Sequence, residues 1–334
     1  MATTHLRACD VPELRQDLVR WTDENVAHGS LAFDIHGFTD AATMQRAAKS
    51  AELYYVNDQM TWLARQIGEG LPLCAFDVDD LPAPAGLLVW SDDPRPRGEA
   101  TSTSPRAVFW CRAGLSLRVL LLDDAGFNRR LLEEHRDKAG TMEYLFLESM
   151  IIGAVSANCA VPVPLNTETP WEQLPGSWKP SGAGQPQDVD EDDRRETEND
   201  ALQVIRTLLG TLLLIRQPAD ARRGLRQAED VRPDSAARKR LRRMNAERPD
   251  ATVRYVTLRQ SIRPAPEDDR GAQDTASRVY RHQWFVRPHR RTYPDRNDPT
   301  GRSRRWVGPY LVTPAGCENA PILGRERVVN VLRR

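Results

Sequence analysis

Arginines and aromatic residues are interleaved in one stretch of this sequence, between Ser277 and Val312. A guanidinium group can bind a phosphate through two parallel hydrogen bonds, and an aromatic ring can stack on a nucleobase. The combination therefore favours a nucleic-acid-binding surface. The residues concerned are Arg281, Arg287, Arg290, Arg291, Arg296, Arg302, Arg304 and Arg305, with Tyr280, Trp284, Phe285, Tyr293, Trp306 and Tyr310.

The same stretch predicts a β-hairpin with a long connection. Two short runs rich in aromatic and β-branched residues flank a segment of Pro, Asp, Asn and Gly, which is typical of two strands joined by a loop. Side chains alternate between the two faces of a strand. In the first run, His282 shares its face with Trp284 and Val286, which is the face expected to be buried.

Two histidines in this hairpin could support acid–base chemistry. His282 is expected to be a half-buried, hydrogen-bonded residue, because its neighbours on the same face are apolar. His289 follows Pro288, beyond the strand, and is the better candidate. With Arg287 beside it, His289 could act in a metal-independent nuclease. No metal-ligand spacing is present, so neither a metal nor a cofactor is predicted.

A second basic segment precedes the hairpin. Residues 235–246 predict a short helix, and positive side chains cover most of its circumference. A polyanionic partner would relieve their mutual repulsion. The alternative is an ordinary solvated helix face. The candidate nucleic-acid ligands in this helix are Arg238, Lys239, Arg240, Arg242 and Arg243.

The charge of the 334-residue chain is unevenly distributed, although the total formal charge is zero. Residues 222–334 contain 27 basic and 13 acidic residues, a net charge of +14, so the preceding part has a net charge of −14. This division indicates an acidic body and a basic functional end. The alternative is that the two parts simply attract each other.

Periodicity along the chain predicts an α+β protein. Amphipathic helices are expected over 11–26, 40–53, 58–67 and 198–217, and the hairpin is expected to belong to a basic C-terminal module. Three strand-like runs, at 86–90, 107–112 and 115–122, predict a small antiparallel sheet. The apolar run 142–157 predicts a central core helix.

Composition divides the chain into three regions. Residues 161–197 are rich in proline and in acidic residues, which predicts a linker or surface loop with little regular structure. We therefore predict an α+β body over 1–160 and a basic module over 198–334. Five widely spaced cysteines and no long apolar segment predict a cytoplasmic protein that has no disulfide framework and does not contact a membrane.

Several segments resemble one family of proteins found in bacterial genomes, phages and other mobile elements. They are AELYYVNDQM (51–60), LPAPAGLLVW (81–90), LLGTLLLIRQP (208–218), YRHQWFVRPHRRTYP (280–294) and RRWVGPYLVTPAGCENAPI (304–322). The tail of that family commonly resembles HxWxVRGHWRxQWYP. This chain departs from it, with Pro288 where Gly is usual and Arg290 where Trp is usual.

The family's tail is similar, more remotely, to a class of anti-CRISPR proteins directed at type V effectors. That resemblance implies a regulatory role linked to RNA or translation, at the level of a message and its nascent chain, with a ribosome-associated partner as one possibility. Taken together, the sequence predicts a nucleic-acid-binding regulatory protein whose expected ligand is RNA. The alternatives are the nuclease and a protein-interaction module that uses Arg and Trp at its interface.

Overall fold

The computed structural model describes residues 6–28, 41–95, 105–174, 191–216, 226–258, 283–294, 302–312 and 322–323. The helices are α1 (Val11–His28), α2 (Ala41–Ser50), α3 (Asp58–Glu69), α4 (Gly126–Glu134), α5 (Met142–Ser149), α6 (Glu191–Ile215) and α7 (Ser235–Arg243). The strands are β1 (Glu52–Val56), β2 (Ala85–Trp90), β3 (Pro105–Ala113), β4 (Ser116–Asp124), β5 (Ile151–Ile152), β6 (Val155–Pro164), β7 (Arg226–Val231), β8 (Val253–Leu258), β9 (Gln283–Val286), β10 (His289–Pro294), β11 (Arg302–Val307), β12 (Tyr310–Val312) and β13 (Ile322–Leu323).

An eight-stranded mixed sheet runs through the body, in the order β5-β6-β4-β3-β2-β1-β8-β7. Strand β1 is parallel to both β2 and β8, and the remaining pairs are antiparallel. The prediction of a small antiparallel sheet is therefore wrong, although the α+β class and the helical N-terminal part fit. Strand β1 was not predicted, because its first apolar residues also continue the helical pattern expected over 40–53. In the structure α2 ends at Ser50, and β1 begins at Glu52.

Strands β1 and β2 are connected by α3 in a β-α-β unit, which explains why they are parallel. Asn57 begins α3 by accepting a hydrogen bond from the backbone N–H of Met60 at 3.0 Å. Met60, Leu63 and Ile67 are buried on one face of the helix, as the predicted amphipathic pattern requires.

The mixed sheet separates two apolar cores, because alternate side chains of each strand point to opposite faces. Leu53 of β1 belongs to the core under α1 and α2, whereas its neighbour Tyr54 belongs to the core under α3 and α6. Trp90 and Trp110 are fully buried in the second core. That second core also includes Trp306 of β11, so the C-terminal hairpin packs against the α3/α6 side of the body.

The run 142–157 is not one core helix. Helix α5 ends at Ser149, and the chain then forms β5 and β6 around a turn at Gly153, whose φ is +58°. Leu145 of α5 is 47% exposed, in contrast to the burial expected for a central helix. A continuous apolar run is compatible with a buried helix or with buried strands, and here β-branched Ile151, Ile152 and Val155 favour strands.

Regular structure extends into both ends of the segment 161–197. Strand β6 continues to Pro164 in register with β4, and α6 begins at Glu191, so the expectation of little regular structure is wrong at these ends. Between them, Trp171 is buried and its indole N–H donates to the carbonyl oxygen of Leu71 at 2.9 Å. Residues 175–190 lie outside the described residues.

The segment after residue 198 contributes to the body as well as to the hairpin. Helix α6 packs against α3, and β8 lies between β1 and the edge strand β7 in the mixed sheet. Helix α7 begins at Asp234, whose carboxylate accepts from the backbone N–H of Ala237 at 2.7 Å. The basic helix predicted over 235–246 is therefore present, and its apolar side packs against α1.

Candidate nucleic-acid interface

The predicted C-terminal hairpin is present, and its register is continuous across a break. The hairpin has two arms: β9 and β10 form the first, and β11 and β12 form the second. Strand β10 pairs with β11, and β9 pairs with β12 further from the connecting loop. Between the two ladders, Arg287-Pro288 lies opposite Gly308-Pro309, whose peptide bond is cis. Proline has no N–H to donate, which explains why the ladder is interrupted where the two prolines meet.

One face of β10–β11, the body face, contains Arg290, Arg304 and Trp306. Arg290 and Trp306 are register partners, and Arg304 is two residues from Trp306 on the same strand. Trp306 is buried, and its indole N–H donates to the carbonyl oxygen of Ala75 at 2.8 Å. The body face therefore attaches the hairpin to the segment that follows α3.

Among the described arginines of the hairpin, Arg290 is the most buried, with 11% of its side chain exposed. Its Nη1 lies 2.9 Å from Oδ2 of Asp77, and its Nε lies 3.0 Å from Oε1 of Glu168. The second contact is an ion pair without hydrogen-bond geometry. Arg304 Nη1 lies 2.7 Å from the other oxygen of Glu168. These two arginines, predicted as nucleic-acid ligands, bind carboxylates of the acidic body, as the alternative of mutual attraction suggested.

The opposite face of β10–β11, the outer face, contains Arg291 and Arg305. These two residues are register partners, and both are exposed. The guanidinium carbon of Arg291 lies 5.5 Å from the ring centroid of Tyr293, two residues further along the same face. His289, also exposed, precedes Arg291 on this face, and its Nδ1 lies 3.3 Å from the carbonyl oxygen of Arg287. The outer face thus combines two guanidinium groups, an aromatic ring and an imidazole.

The basic side chains of α7 form a separate surface. Arg240 lies 2.6 Å from Glu13 of α1, and Arg238 and Arg242 each approach Asp250 to 3.8 Å. Lys239 and Arg243 are exposed. Because α7 packs on α1 and the hairpin packs on the α3/α6 side, the two basic elements lie on opposite sides of the mixed sheet. They do not form one surface.

Four residues of the predicted surface lie outside the described residues, namely Tyr280, Arg281, His282 and Arg296. Arg287 lies between β9 and β10 and is exposed.

A polar cleft of about 460 Å³ lies between the hairpin and the body. The residues that line it are Asp77, Asp79, Asp80, Asn166, Glu168, Arg216, Arg290, Arg302, Ser303, Arg304 and Arg305. Asp80 at its base is 1% exposed and forms an ion pair with Arg216. Burial raises the pKa of the Asp80 carboxyl, and the positive charge of Arg216 opposes that shift. Sequence reasoning missed this cleft, because residues far apart in the chain create it.

A second group of polar residues was also missed, at the carboxyl ends of β2 and β4. Asp123 is 4% exposed, and its Oδ2 accepts from Nδ2 of Asn158 at 2.6 Å. Burial raises the pKa of Asp123 to about 7. Nearby, Arg95 lies 2.9 Å from Asp93 and 2.6 Å from Asp200. The only sequence signals were isolated acidic residues at the ends of strand-like runs.

Within the described ranges, no three His, Cys, Asp or Glu side chains form a group suited to a metal ion. None of the helices seen there has both the length and the apolar character needed to cross a membrane.

Neither a protein-family model, nor a curated protein, nor a solved structure matches this chain, and the family resemblance of the quoted segments stays a prediction.

Proposed function

We propose that the protein binds nucleic acid, with RNA as its ligand, through the outer face of β10–β11. The observation that carries the proposal is the register pair Arg291 and Arg305 on an exposed face. Two guanidinium groups that lie opposite each other on one face can both donate charge-assisted hydrogen bonds to a phosphate bound between them.

The neighbours of the arginine pair support the same function. Tyr293 provides a ring next to Arg291, and aromatic rings beside cationic groups are typical of surfaces that bind single-stranded nucleic acids. Arg290 and Arg304 support it differently. They bind Asp77 and Glu168, and so present the outer face on a hairpin that is packed against the body. The remote resemblance of the C-terminal segments to anti-CRISPR proteins directed at type V effectors, which implies a role linked to RNA, supports RNA as the ligand.

A nuclease is the second candidate, since His289 lies on the outer face beside Arg291. An imidazole two residues from a guanidinium could act as a general acid or base while the arginine stabilises phosphorane charge. The described residues place no second proton-exchanging side chain next to His289 on this face. We therefore favour binding without cleavage.

The binding proposal can be tested with two double variants that remove equal charge. Arg291→Ala/Arg305→Ala removes the pair on the outer face, and Lys239→Ala/Arg243→Ala removes two exposed cations on the other side of the sheet. Affinity for single-stranded RNA would be measured by fluorescence anisotropy over a series of salt concentrations. The slope of log association constant against log salt concentration is negative, and the loss of two phosphate contacts should make it shallower by about 1.4, at about 0.7 per contact.

We expect the hairpin variant to show this reduced slope and weaker binding, and the α7 variant to retain most of both. No binding of wild-type protein at low salt would contradict the proposal. Equal losses in the two variants would mean that general positive charge, and not the outer face, determines binding.

A further inference from the structure

Helix α7 presents positive charge on a surface that the hairpin does not share. Ala237 and Leu241, four residues apart, are buried where the helix packs on α1. Residues three and four apart lie on one side of a helix, and each residue turns it by about 100°. Lys239, Arg242 and Arg243 therefore share the side that points away from the buried pair, and all three are exposed. These three residues are the α7 face.

The cations of the α7 face are accessible to an external ligand. Within the described part of the chain, neither Lys239 nor Arg243 forms an ion pair. Arg242 approaches Asp250 only to 3.8 Å, and the two side chains are 66% and 61% exposed. Ion pairs as exposed as this one contribute little to stability, so Asp250 does not withhold Arg242 from another anion.

The α7 face is fixed in position on the body. Arg240, on the flank of the helix, lies 2.6 Å from Glu13 of α1. At the end of the helix, Nε2 of Gln16 donates to the carbonyl oxygen of Met244 at 3.4 Å. A surface whose geometry is fixed beforehand loses less conformational freedom on binding. The α7 face therefore presents three closely spaced cations at set positions, which suits the regularly spaced phosphates of a nucleic-acid backbone.

We infer that the α7 face binds a second single strand of RNA, so that one chain holds two strands on opposite sides of the mixed sheet. A short strand on the outer face of the hairpin does not reach α7, because the sheet and its helices lie between them. The inference rests on the proposed function and adds the bridging of two strands to it. Helix α7 contains no aromatic residue. Without base stacking, its face should be the weaker of the two sites.

The test mixes the whole chain with two pools of one oligouridine strand, labelled with a donor dye and with an acceptor dye. A length of about six nucleotides lies within the site sizes of single-strand binders, about 4–16 nucleotides. Titration at low salt gives the number of strands bound per chain, and energy transfer reports two strands on one molecule. We expect two strands per chain and energy transfer for the wild type. Lys239→Ala/Arg243→Ala should bind one strand and show no energy transfer.

Two control variants should retain both strands and the energy transfer. Lys239→Arg/Arg243→Lys keeps the charge of the α7 face, and Arg136→Ala/Lys138→Ala removes the same charge at exposed positions between α4 and α5. One strand per wild-type chain would contradict the bridging inference but leave the proposed function intact, and would make the α7 face an ordinary solvated surface. Energy transfer that persists in Lys239→Ala/Arg243→Ala, or is lost in Arg136→Ala/Lys138→Ala, would also contradict it. If no strand binds, the proposed function fails, and the inference fails with it.

Discussion

Arg290 and Trp306 lie directly opposite each other on the body face of the hairpin, with the guanidinium carbon 5.6 Å from the ring centroid. The arginine reaches the carboxylates of Asp77 and Glu168, and the tryptophan donates to the carbonyl oxygen of Ala75. A cation over an aromatic face is attracted by the ring quadrupole. Two kinds of contact that hold the hairpin on the body, the ion pairs of Arg290 and the buried ring of Trp306, therefore meet at this one pair.

Arg290→Ala is expected to loosen the hairpin from the body. The change leaves Asp77 without its close cation in a half-buried setting, and hydrogen bonds to charged groups contribute about 1.5–3 kcal/mol each. We expect the free energy of unfolding to fall by about that amount in urea titrations. Amide hydrogen exchange in β10 and β11 should also accelerate. The matched control is Arg291→Ala on the outer face, for which we expect a change within about 0.5 kcal/mol. Similar losses for both variants would contradict the assignment of Arg290 to the attachment.

His289→Gln separates binding from catalysis. Glutamine retains hydrogen-bonding capacity but cannot exchange a proton near neutral pH, and loss of general acid–base help typically lowers a rate by about 10² to 10⁴. We expect no turnover of RNA or DNA by the wild type, with or without Mg²⁺, and nearly equal affinity in both proteins. Gel-based cleavage assays and anisotropy provide the two measurements. Reproducible cleavage that His289→Gln abolishes, with binding intact, would establish the nuclease instead.

Gly210→Ala is expected to disrupt the contact between α3 and α6. A Cβ at Gly210 would overlap the carbonyl oxygen of Ala64, and a Cβ at Gly68 would overlap the carbonyl oxygen of Arg206. Alanine favours a helix over glycine by about 1 kcal/mol, but overpacking typically costs about 1–3 kcal/mol. We therefore expect a net loss of stability in thermal or urea unfolding.

The control for Gly210→Ala is Gly70→Ala, at the end of α3. A Cβ added at Gly70 would make only ordinary contacts of 3.5 Å and longer. Its stability should change little. An increase in stability for Gly210→Ala would show that the two helices can move apart at small cost.

Asp123→Asn is expected to change the pH dependence of stability. Burial raises the pKa of Asp123 to about 7 in the folded protein, compared with about 3.9 in an unfolded chain. The folded state then binds the proton more tightly, so the stabilising contribution is complete below about pH 4 and is lost as the pH rises through 7. The charges facing this carboxyl are Arg95, Asp93 and Asp200, and the thiol of Cys159 also lies nearby.

Asparagine cannot ionise, so the variant should lose less stability than the wild type between pH 5 and pH 8. One pKa unit corresponds to about 1.4 kcal/mol, and the expected difference is on the order of a few kcal/mol. Urea unfolding at several pH values measures it. Parallel pH profiles for the two proteins would show that Asp123 does not titrate in this range.

Sequence patterns identified the helices and strands that bury only one face. Met60, Leu63 and Ile67 identify α3 because a helical stripe admits only one interpretation, and the aromatic runs around Trp306 identify the hairpin. Local patterns failed where the apolar residues have no clear period. The run that contains Ile151 and Val155 is apolar on almost every side, so its period could not distinguish a helix from strands.

The two functions of the arginines could not be separated from sequence. Arg290 and Arg291 are neighbours of identical chemistry, yet one binds Asp77 and the other lies on the exposed outer face. The division follows from the register of β10 against β11, together with the position of Asp77 and Glu168 in distant loops. The charge composition of the chain distinguishes an acidic part from a basic part. It does not indicate which basic side chain forms an ion pair with which carboxylate.

The parallel pairing of β8 with β1 has a consequence for synthesis of the chain. Leu53 and Val253 are partners in this ladder although 200 positions separate them. Until the ribosome has released β8, one side of β1 presents unpaired backbone groups next to completed neighbours β2, β3 and β4. Such an edge can pair with other chains, and long-range parallel pairing forms slowly. A nascent chain whose β8 has not yet emerged from the ribosome should therefore be a good chaperone client and prone to aggregation, whereas a chain whose β8 has emerged and paired with β1 should not.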